Sequence, residues 1–268
     1  MSPESIIDDT KPNAGRMYDY YLGGFHNFAI DRQAADQVLK LLPFARKFVR
    51  LQRWCLQDIA EELDRRGYDV IVDFASGLPT NDHIHHRVSS KTTVIYSDSD
   101  PVVVEYALEI LKSDFSNVYC FKADARHPEE LLERPDVQQI LNGRRKVAFV
   151  YWGVSAFLTD ADLTHALKYL YEWADSGSCL AFNAQLAGVN PEDPASMEVA
   201  GIYTRMGTPV FLRSLEQYQE LLGNWRLNGV DFVSLLNWHG FDQSELSEDD
   251  VSVYGPMGGG FGAYLIKP

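Results

Sequence analysis

From Gly67 onward, short apolar segments alternate with segments of helical periodicity, and this alternation restricts the chain to few folds. The apolar segments predict strands at 69–74, 92–97, 118–122, 146–151, 178–183, 229–236 and 261–267. The segments between them predict helices at 81–89, 101–112, 127–141, 160–175 and 213–223. Nearly continuous apolar strands separated by helices are typical of a parallel sheet that is covered on both faces. No helix is predicted between the last two strands, and we expect these to pair antiparallel at one edge.

The residues before Gly67 follow a different pattern. Residues 11–30 are rich in aromatic side chains, and residues 31–66 have helical spacing with one break at Pro43. Asp31 suits the N-cap of the first of these helices, and Gly67 suits the C-cap of the second. We therefore predict a helical N-terminal cap over 1–66 and an α/β domain over 67–268. Residues 184–212 contain three prolines and are interpreted as an insertion or lid of that domain.

Charge and cysteine content narrow the class of protein. The formal net charge is −14, which disfavours binding to nucleic acids and to anionic membrane surfaces. The three cysteines are far apart in the sequence and are expected to be reduced and buried. The charged N-terminus does not resemble a signal peptide, and no apolar run reaches the roughly 18 residues of a membrane span. We expect a soluble cytoplasmic protein with no membrane or nucleic-acid partner; the sequence leaves its oligomeric state open.

The turn after the first predicted strand, in VIVDFASGLPT, is the first candidate for a ligand site. Ligands of open parallel sheets bind at the carboxyl ends of the strands, where this turn should lie. The dinucleotide pattern GxGxxG is absent, since Ala75 holds the first glycine position and Pro79 a later one. A pyrophosphate packed against the backbone is therefore disfavoured. A cofactor without phosphates, such as S-adenosylmethionine, tolerates a looser turn.

Three acids stand at the ends of successive predicted strands: Asp73, Asp98 and Asp124. Asp98 could accept hydrogen bonds from both ribose hydroxyls, because a carboxylate offers two acceptor oxygens. Asp124 could accept from an exocyclic amine, while the backbone N–H of Ala125 serves a ring nitrogen. Any one of these acids could instead be a helix cap or a loop residue. Together, in this order and at these spacings, they favour an adenosyl cofactor.

Four stretches of the sequence carry a resemblance to a known family. They are PNAGRMYDYYLGG, FHNFAIDR, VIVDFASGLPT and SDSDPVVVEYA. From residue 12 onward the chain resembles a family of S-adenosylmethionine-dependent methyltransferases of largely unknown substrate. The resemblance implies a Rossmann-like, seven-stranded class I methyltransferase sheet with helices on both faces and an antiparallel last strand. The chain departs from the family pattern at Gly15 and Met17, and at Ala75, which replaces the first glycine of the family's turn.

The resemblance also implies that the N-terminal segment folds across the mouth of the cofactor site. Arg16 could then meet a carboxylate, and Tyr18 and Tyr21 could offer hydroxyls or ring faces to a sulfonium. Gly23 and the glycine after it would permit close approach, although the aromatic residues could instead simply pack on the helices behind. Tyr151 and Trp152, after the fourth strand, are expected either to face the cofactor or acceptor or to lie in the core.

The complete set of predicted cofactor-binding residues is Arg16, Tyr18, Tyr21, Gly23, Asp73, Ala75, Ser76, Gly77, Leu78, Pro79, Asp98, Ser99, Asp124, Ala125 and Tyr151.

Two further stretches that could suggest a ligand site are assigned no functional role. DHIHHR at 82–87 is taken as a solvated helix face, so no metal site is predicted, and PMGGGFG at 256–262 as a turn into the last strand. No general base stands out, and the catalytic residues stay unknown. The chain is predicted to be an S-adenosylmethionine-dependent methyltransferase with a small-molecule acceptor. The alternatives are a non-catalytic protein that binds S-adenosylmethionine or S-adenosylhomocysteine and, more weakly, an NAD(P)-dependent oxidoreductase.

Overall fold

The computed structural model describes residues 10–80, 82–111, 115–187, 189–229, 231–240, 248 and 260–268. Within them, eight strands form one sheet in the order β3-β2-β1-β4-β5-β8-β6, and β7 pairs with β8. The strands are β1 Val70–Phe74, β2 Thr93–Asp98, β3 Val118–Lys122, β4 Ala148–Tyr151, β5 Cys179–Ala184, β6 Arg226–Leu227, β7 Val233–Ser234 and β8 Phe261–Ile266. The helices are α1 Ala14–Leu22, α2 Ala29–Leu41, α3 Ala45–Arg65, α4 Pro101–Leu111, α5 Glu129–Leu132, α6 Pro135–Leu141, α7 Asp160–Trp173, α8 Pro194–Arg205, α9 Leu215–Leu221 and α10 Leu235–Trp238.

The sheet confirms the α/β prediction. Strands β1 to β5 are parallel, and β8 runs antiparallel to β5, β6 and β7. The last strand does not lie at the edge, however, because β8 inserts between β5 and β6. The single strand predicted at 229–236 was wrong. It is replaced by two short strands on either side of a bend, in which Gly229 has a φ of 80°.

Helices cover both faces of the sheet, as expected. One face packs β1 and β4 against α5, α6, α7 and α9, and the other packs the sheet against α3, α4 and α10. A third apolar cluster joins α1 and α2 to α8, through residues such as Met17, Val38 and Ile202. This third cluster connects the N-terminal helices to the segment between β5 and α9. The three cysteines are free and buried, as predicted.

Three local predictions were wrong in detail. The helix expected at 81–89 is a single 3-10 turn at Ile84–His86. The helix expected at 127–141 is divided into α5 and α6, because Pro135 starts a new helix with Arg134 in extended conformation before it. Asp31 is the third residue of α2 rather than its N-cap, and its carboxylate accepts the Phe28 N–H at 2.8 Å. Gly67, with a φ of 77°, does end α3 as predicted.

Among the described residues, no helix combines the length and the apolar character needed to cross a lipid bilayer.

Candidate cofactor and acceptor site

A cavity of about 1090 Å³ opens at the carboxyl ends of β1 to β4, between the sheet and the N-terminal helices. Its walls come from the turns after the strands, from α1, α2 and α3, and from α8 with the loop that follows it. Sites for one small ligand typically enclose about 300–1,000 Å³. The cavity is therefore large enough for a cofactor together with a second molecule.

The turn after β1 is fastened to β2 at the floor of the cavity. The Ser76 N–H donates to the Ser97 carbonyl at 2.9 Å, and the Gly77 N–H donates to Asp98 Oδ2 at 3.0 Å. Ala75 has a φ of 53°, in the left-handed region where an L-residue with a Cβ is strained by roughly 1–2 kcal/mol. Ala75 thus has a backbone conformation that a glycine adopts without strain.

His83 supports this turn from behind, although sequence reasoning gave it no role. Its Nδ1 accepts from the Ile84 N–H at 2.9 Å, so its Nε2–H is free to donate to the Ser76 carbonyl at 3.0 Å. Burial is the main influence that holds the pKa of His83 well below its usual value, so the ring is neutral. The predicted solvated face of 82–87 was wrong for two of its three histidines. His83 and His85 are buried against the Tyr96 hydroxyl, and only His86 is exposed.

Asp98 lines the cavity at the end of β2. Its two oxygens accept the N–H groups of Gly77 and Asp100 at 3.0 and 2.9 Å. Burial raises the pKa of Asp98 to about 6, and these backbone donors oppose the rise. Each carboxylate oxygen has a second lone pair, so the ionised side chain can still accept hydrogen bonds from a ligand.

Asp73 and Arg53 bring a buried acid and a buried cation to the same cavity, and neither has all its hydrogen-bonding atoms paired among the described residues. Asp73 is 2% exposed, and its Oδ2 has no hydrogen-bond partner among the described residues. Burial raises the pKa of Asp73 well above its usual value, and Arg53 partly opposes that rise. Arg53 is 4% exposed, its Nε and Nη1 have no hydrogen-bond partner in the described part of the chain, and its Nη1 lies 3.7 Å from Asp82.

Arg53 is a site residue that sequence reasoning missed. It lies in α3, among the buried residues Val49, Leu56 and Ile59. A cation inside the apolar stripe of an amphipathic helix was the signal that could have found it, because arginines are almost never fully buried unless paired.

Asp124 lines the cavity at the end of β3 but already has a partner. The Arg126 guanidinium donates to both of its oxygens, from Nε at 3.0 and 2.9 Å. Burial favours the neutral acid, but the Arg126 donors outweigh it and hold the pKa of Asp124 below its usual value. An amine donor from a ligand would have to share this carboxylate with Arg126.

The polar residues of the N-terminal segment mainly bind one another. Arg16 donates to Asp31 at 2.8 Å and to Asp100 at 3.0 Å, and all three side chains are buried. Asp31 also accepts the Asn13 N–H at 2.8 Å. A Cβ on Gly24 would collide with the Asp19 carboxylate, so the close approach at this glycine is to that side chain. A Cβ on Gly23 would meet no atom within 4 Å, so no close approach is found there. The segment is thus a hydrogen-bonded clamp that connects α1 and α2 to the loop after β2.

The structure brings ten of the predicted residues together on the cavity wall. They are Tyr18, Tyr21, Asp73, Ala75, Ser76, Gly77, Asp98, Ser99, Asp124 and Ala125. The wall does not include Arg16, Gly23, Leu78, Pro79 or Tyr151.

The residues away from the wall have other positions. Arg16 belongs to the clamp, and Gly23 ends α1 with a φ of 86°. Tyr151 is fully buried in the core, and its hydroxyl donates to the Ala125 carbonyl at 2.5 Å. Tyr151 can therefore affect the site only through the backbone that it supports, and the adjacent Trp152 lines the cavity instead.

The part of the cavity away from the strand ends is mostly apolar. Side chains of α2, α3, the link between them, α8 and the loop after α8 form it. They are Val38, Leu42, Phe44, Phe48, Val49, Val199, Tyr203, Val210, Phe211 and Leu212. Tyr18 lies between the two parts, with the Arg53 guanidinium 5.3 Å from its ring centroid. Burial raises the pKa of Tyr203 to about 12, so its hydroxyl is neutral and can donate a hydrogen bond.

A mixed sheet of this order, with an antiparallel strand inserted beside β5 and its cavity at the carboxyl ends, is a Rossmann-like class I methyltransferase fold. The sequence matches the S-adenosyl methyltransferase family over residues 1–260, and the chain belongs to that family. The cofactor of the family is S-adenosylmethionine.

Solved structures agree with this assignment. A candidate methyltransferase from Thermobifida fusca is 26% identical, with a TM-score of 0.85 over 99% of this chain and 98% of that chain. A DUF574 family protein from Streptomyces avermitilis is 24% identical, with a TM-score of 0.81 over 97% of this chain and 99% of that chain, and shows the shared fold. No protein of curated function matches the sequence significantly.

Proposed function

We propose that this chain binds S-adenosylmethionine at the strand ends and transfers its methyl group to a small, largely apolar acceptor in the same cavity. The observation that carries the proposal is the continuity of the cavity, which joins the acids of β1 to β3 to the apolar walls of α2 and α8. One space thus offers polar groups for an adenosyl cofactor and an apolar chamber for a second molecule.

Asp98 is the proposed ribose-binding residue. Backbone N–H groups hold both of its oxygens in place, which leaves lone pairs for the two ribose hydroxyls. The adenine would then lie toward Asp124 and Ala125, where the Arg126 side chain must share the Asp124 carboxylate or move away.

Arg53 and Asp73 are the proposed receptors for the amino-acid tail of the cofactor. The tail carries one ammonium and one carboxylate, and the two side chains offer the complementary charges in a buried place. An incompletely paired buried cation costs several kcal/mol, so a ligand carboxylate that pairs with Arg53 recovers that free energy. The carboxylate of the tail can meet the free Nε and Nη1 donors of Arg53, while the ammonium meets Asp73 Oδ2.

The transfer itself makes modest demands on the protein. When bound, the sulfonium supplies an electrophilic methyl group; the acceptor forms a bond to it, and the electron pair of the broken S–C bond stays on sulfur. The chain must hold the acceptor in line with that bond and exclude water, and such positioning can supply a large part of the rate. The described wall of the cavity contains no histidine, lysine or cysteine side chain, which suits an acceptor that is nucleophilic without a strong base.

Calorimetric titration with S-adenosylmethionine, S-adenosylhomocysteine and NAD tests the cofactor assignment. We expect the two adenosyl ligands to bind and NAD to give no heat. Asp98→Asn should weaken both adenosyl ligands while circular dichroism and the unfolding midpoint show an intact fold. Unchanged affinity of that variant would exclude the ribose assignment. Formation of S-adenosylhomocysteine with a panel of apolar amines, phenols and thiols then distinguishes an enzyme from a protein that only binds the cofactor.

A further inference from the structure

We propose that His127, Glu129 and His165 form a binding site for a divalent transition-metal ion, for which zinc is the best-suited probe. The site lies outside the cavity. Glu129 is the first residue of α5, His127 lies two residues before it, and His165 lies in the second turn of α7. The two histidines are 38 positions apart, so no metal-ligand spacing is visible in the sequence.

The distances between the ligand atoms suit a tetrahedral ion. One ligand atom from each of the three residues lies within 4.8 Å of the other two. Glu129 Oε1 is 3.4 Å from His127 Nδ1 and 3.1 Å from His165 Nε2. Two ligands bound about 2.0–2.1 Å from a tetrahedral zinc lie about 3.3 Å apart. Both contacts of Glu129 thus already have the spacing of ligands around a tetrahedral ion. The two histidine nitrogens lie within 4.8 Å of each other and would only have to come closer to enclose it.

The donor set selects among cations. Two imidazoles and one carboxylate suit zinc and its borderline neighbours, whereas magnesium and calcium prefer oxygen donors alone. The side chains of His127 and His165 are 49% and 50% exposed, so an ion can enter from solvent and keep water in its fourth position.

The surrounding charge also favours a cation. Arg126, the basic residue next to His127 in the sequence, is held by Asp124, and it lies in the field of Asp162 and Glu130 as well. The whole chain carries a formal charge of −14, so a divalent ion is attracted rather than repelled.

A bound ion at this site would connect two segments that also line the cavity. The His127 N–H donates to the Asp124 carbonyl at 2.9 Å, and Asp162 lies one helical turn before His165. Asp124 and Asp162 both line the cavity. An ion held by His127, Glu129 and His165 therefore cross-links two walls of the cavity from the outside. It should stabilise the folded state by RT ln(1 + L/Kd), where L is the free metal concentration.

The test uses the full chain without an affinity tag, freed of metal with a chelator, and needs no cofactor. Zinc is titrated by calorimetry near neutral pH, and cobalt is added separately because tetrahedral cobalt absorbs visible light. We expect one zinc per chain, a raised unfolding midpoint and a tetrahedral cobalt spectrum. Mutation of a residue that only hydrogen-bonds to a metal ligand typically lowers metal affinity by about 10- to 100-fold. His165→Ala and Glu129→Gln remove ligands themselves, so each should lower zinc affinity by at least that factor.

The matched control is His86→Ala, which removes an exposed histidine outside the cluster and should leave zinc binding unchanged. Two outcomes would overturn the proposal. One is wild-type affinity in both His165→Ala and Glu129→Gln; the other is a wild-type chain that gives neither heat with zinc nor visible absorption with cobalt.

Discussion

At the residue scale, Arg53 is a buried cation whose Nε and Nη1 have no hydrogen-bond partner among the described residues. If it binds the carboxylate of the cofactor tail, Arg53→Met should weaken S-adenosylmethionine by about 10- to 100-fold, the value of a hydrogen bond to a charged group. The same variant should bind methylthioadenosine normally, since that ligand has the adenosine but no amino-acid tail. Calorimetry with both ligands measures the difference.

Asp98→Asn is the matched comparison for Arg53→Met, because loss of a ribose contact should weaken both ligands equally. Equal losses in Arg53→Met would contradict a role in binding the tail. They would show instead that the arginine only maintains the shape of the cavity.

Ala75 is the second residue whose effect can be isolated. Its φ of 53° strains an alanine, so Ala75→Gly should relieve roughly 1–2 kcal/mol of strain in the folded state. The greater freedom of glycine in the unfolded chain lowers stability by about 0.5–1 kcal/mol and offsets part of this gain. We expect a variant at least as stable as the wild type in urea unfolding. The control Ala161→Gly, an exposed position in α7, should lose stability instead. A comparable loss in both variants would show that Ala75 is unstrained.

At the scale of elements, the clamp around Arg16 should contribute far more stability than an ordinary surface ion pair. Arg16→Met leaves Asp31 and Asp100 buried without their cation, and breaking such a buried pair costs about 3–5 kcal/mol. Arg65→Met removes an arginine that is 72% exposed beside Glu62, and such pairs are worth about 0–1 kcal/mol. Urea unfolding of the two variants compares them directly, and similar losses would contradict a structural clamp.

The elements show which parts of the fold the sequence determines. The apolar runs of β1, β2, β4 and β5 were recognisable because strands buried on both faces have few polar positions. The helix expected at 81–89 was wrong because His83 and His85 are buried against Tyr96, a contact between side chains that no periodicity contains. The insertion of β8 between β5 and β6 also could not be predicted from the sequence, because the neighbours of a strand depend on packing between residues far apart in the chain.

At the scale of the whole molecule, the site was partly predictable for a related reason. Asp73, Asp98 and Asp124 reach one cavity because parallel strands end at one edge, which is a rule of topology. Arg53 and the apolar walls of α2 and α8 come from outside the sheet, and no local pattern places them there. The sequence therefore indicated the polar floor of the cavity, which is formed by Asp73, Asp98 and Asp124. Tertiary packing determines the apolar wall opposite this floor.

The polar floor should set opposite pH dependences for stability and for cofactor binding. Burial raises the pKa of Asp98 to about 6 in the folded chain, compared with about 3.9 for an unfolded aspartate. The folded state thus binds this proton more tightly, so the contribution of Asp98 to stability is present below about pH 4 and is lost as the pH rises through about 6. If Asp98 binds the ribose and Asp73 the ammonium of the tail in their ionised forms, cofactor affinity should instead fall as the pH drops below about 6.

Calorimetry with S-adenosylmethionine from weakly acidic to weakly alkaline pH measures how cofactor affinity depends on pH. In buffers of different ionisation enthalpy, we expect protons to be released on binding, because the ligand draws Asp73 and Asp98 into their ionised forms. Asp98→Asn should bind weakly and with a shallower pH dependence, whereas Asp136→Asn, a surface acid paired with Arg134, should follow the wild type. A cofactor that binds an ionised carboxylate must displace the proton of that acid, and its affinity then falls at low pH. An affinity that stays constant as the pH falls through 6 would therefore mean that neither Asp98 nor Asp73 binds the cofactor in its ionised form.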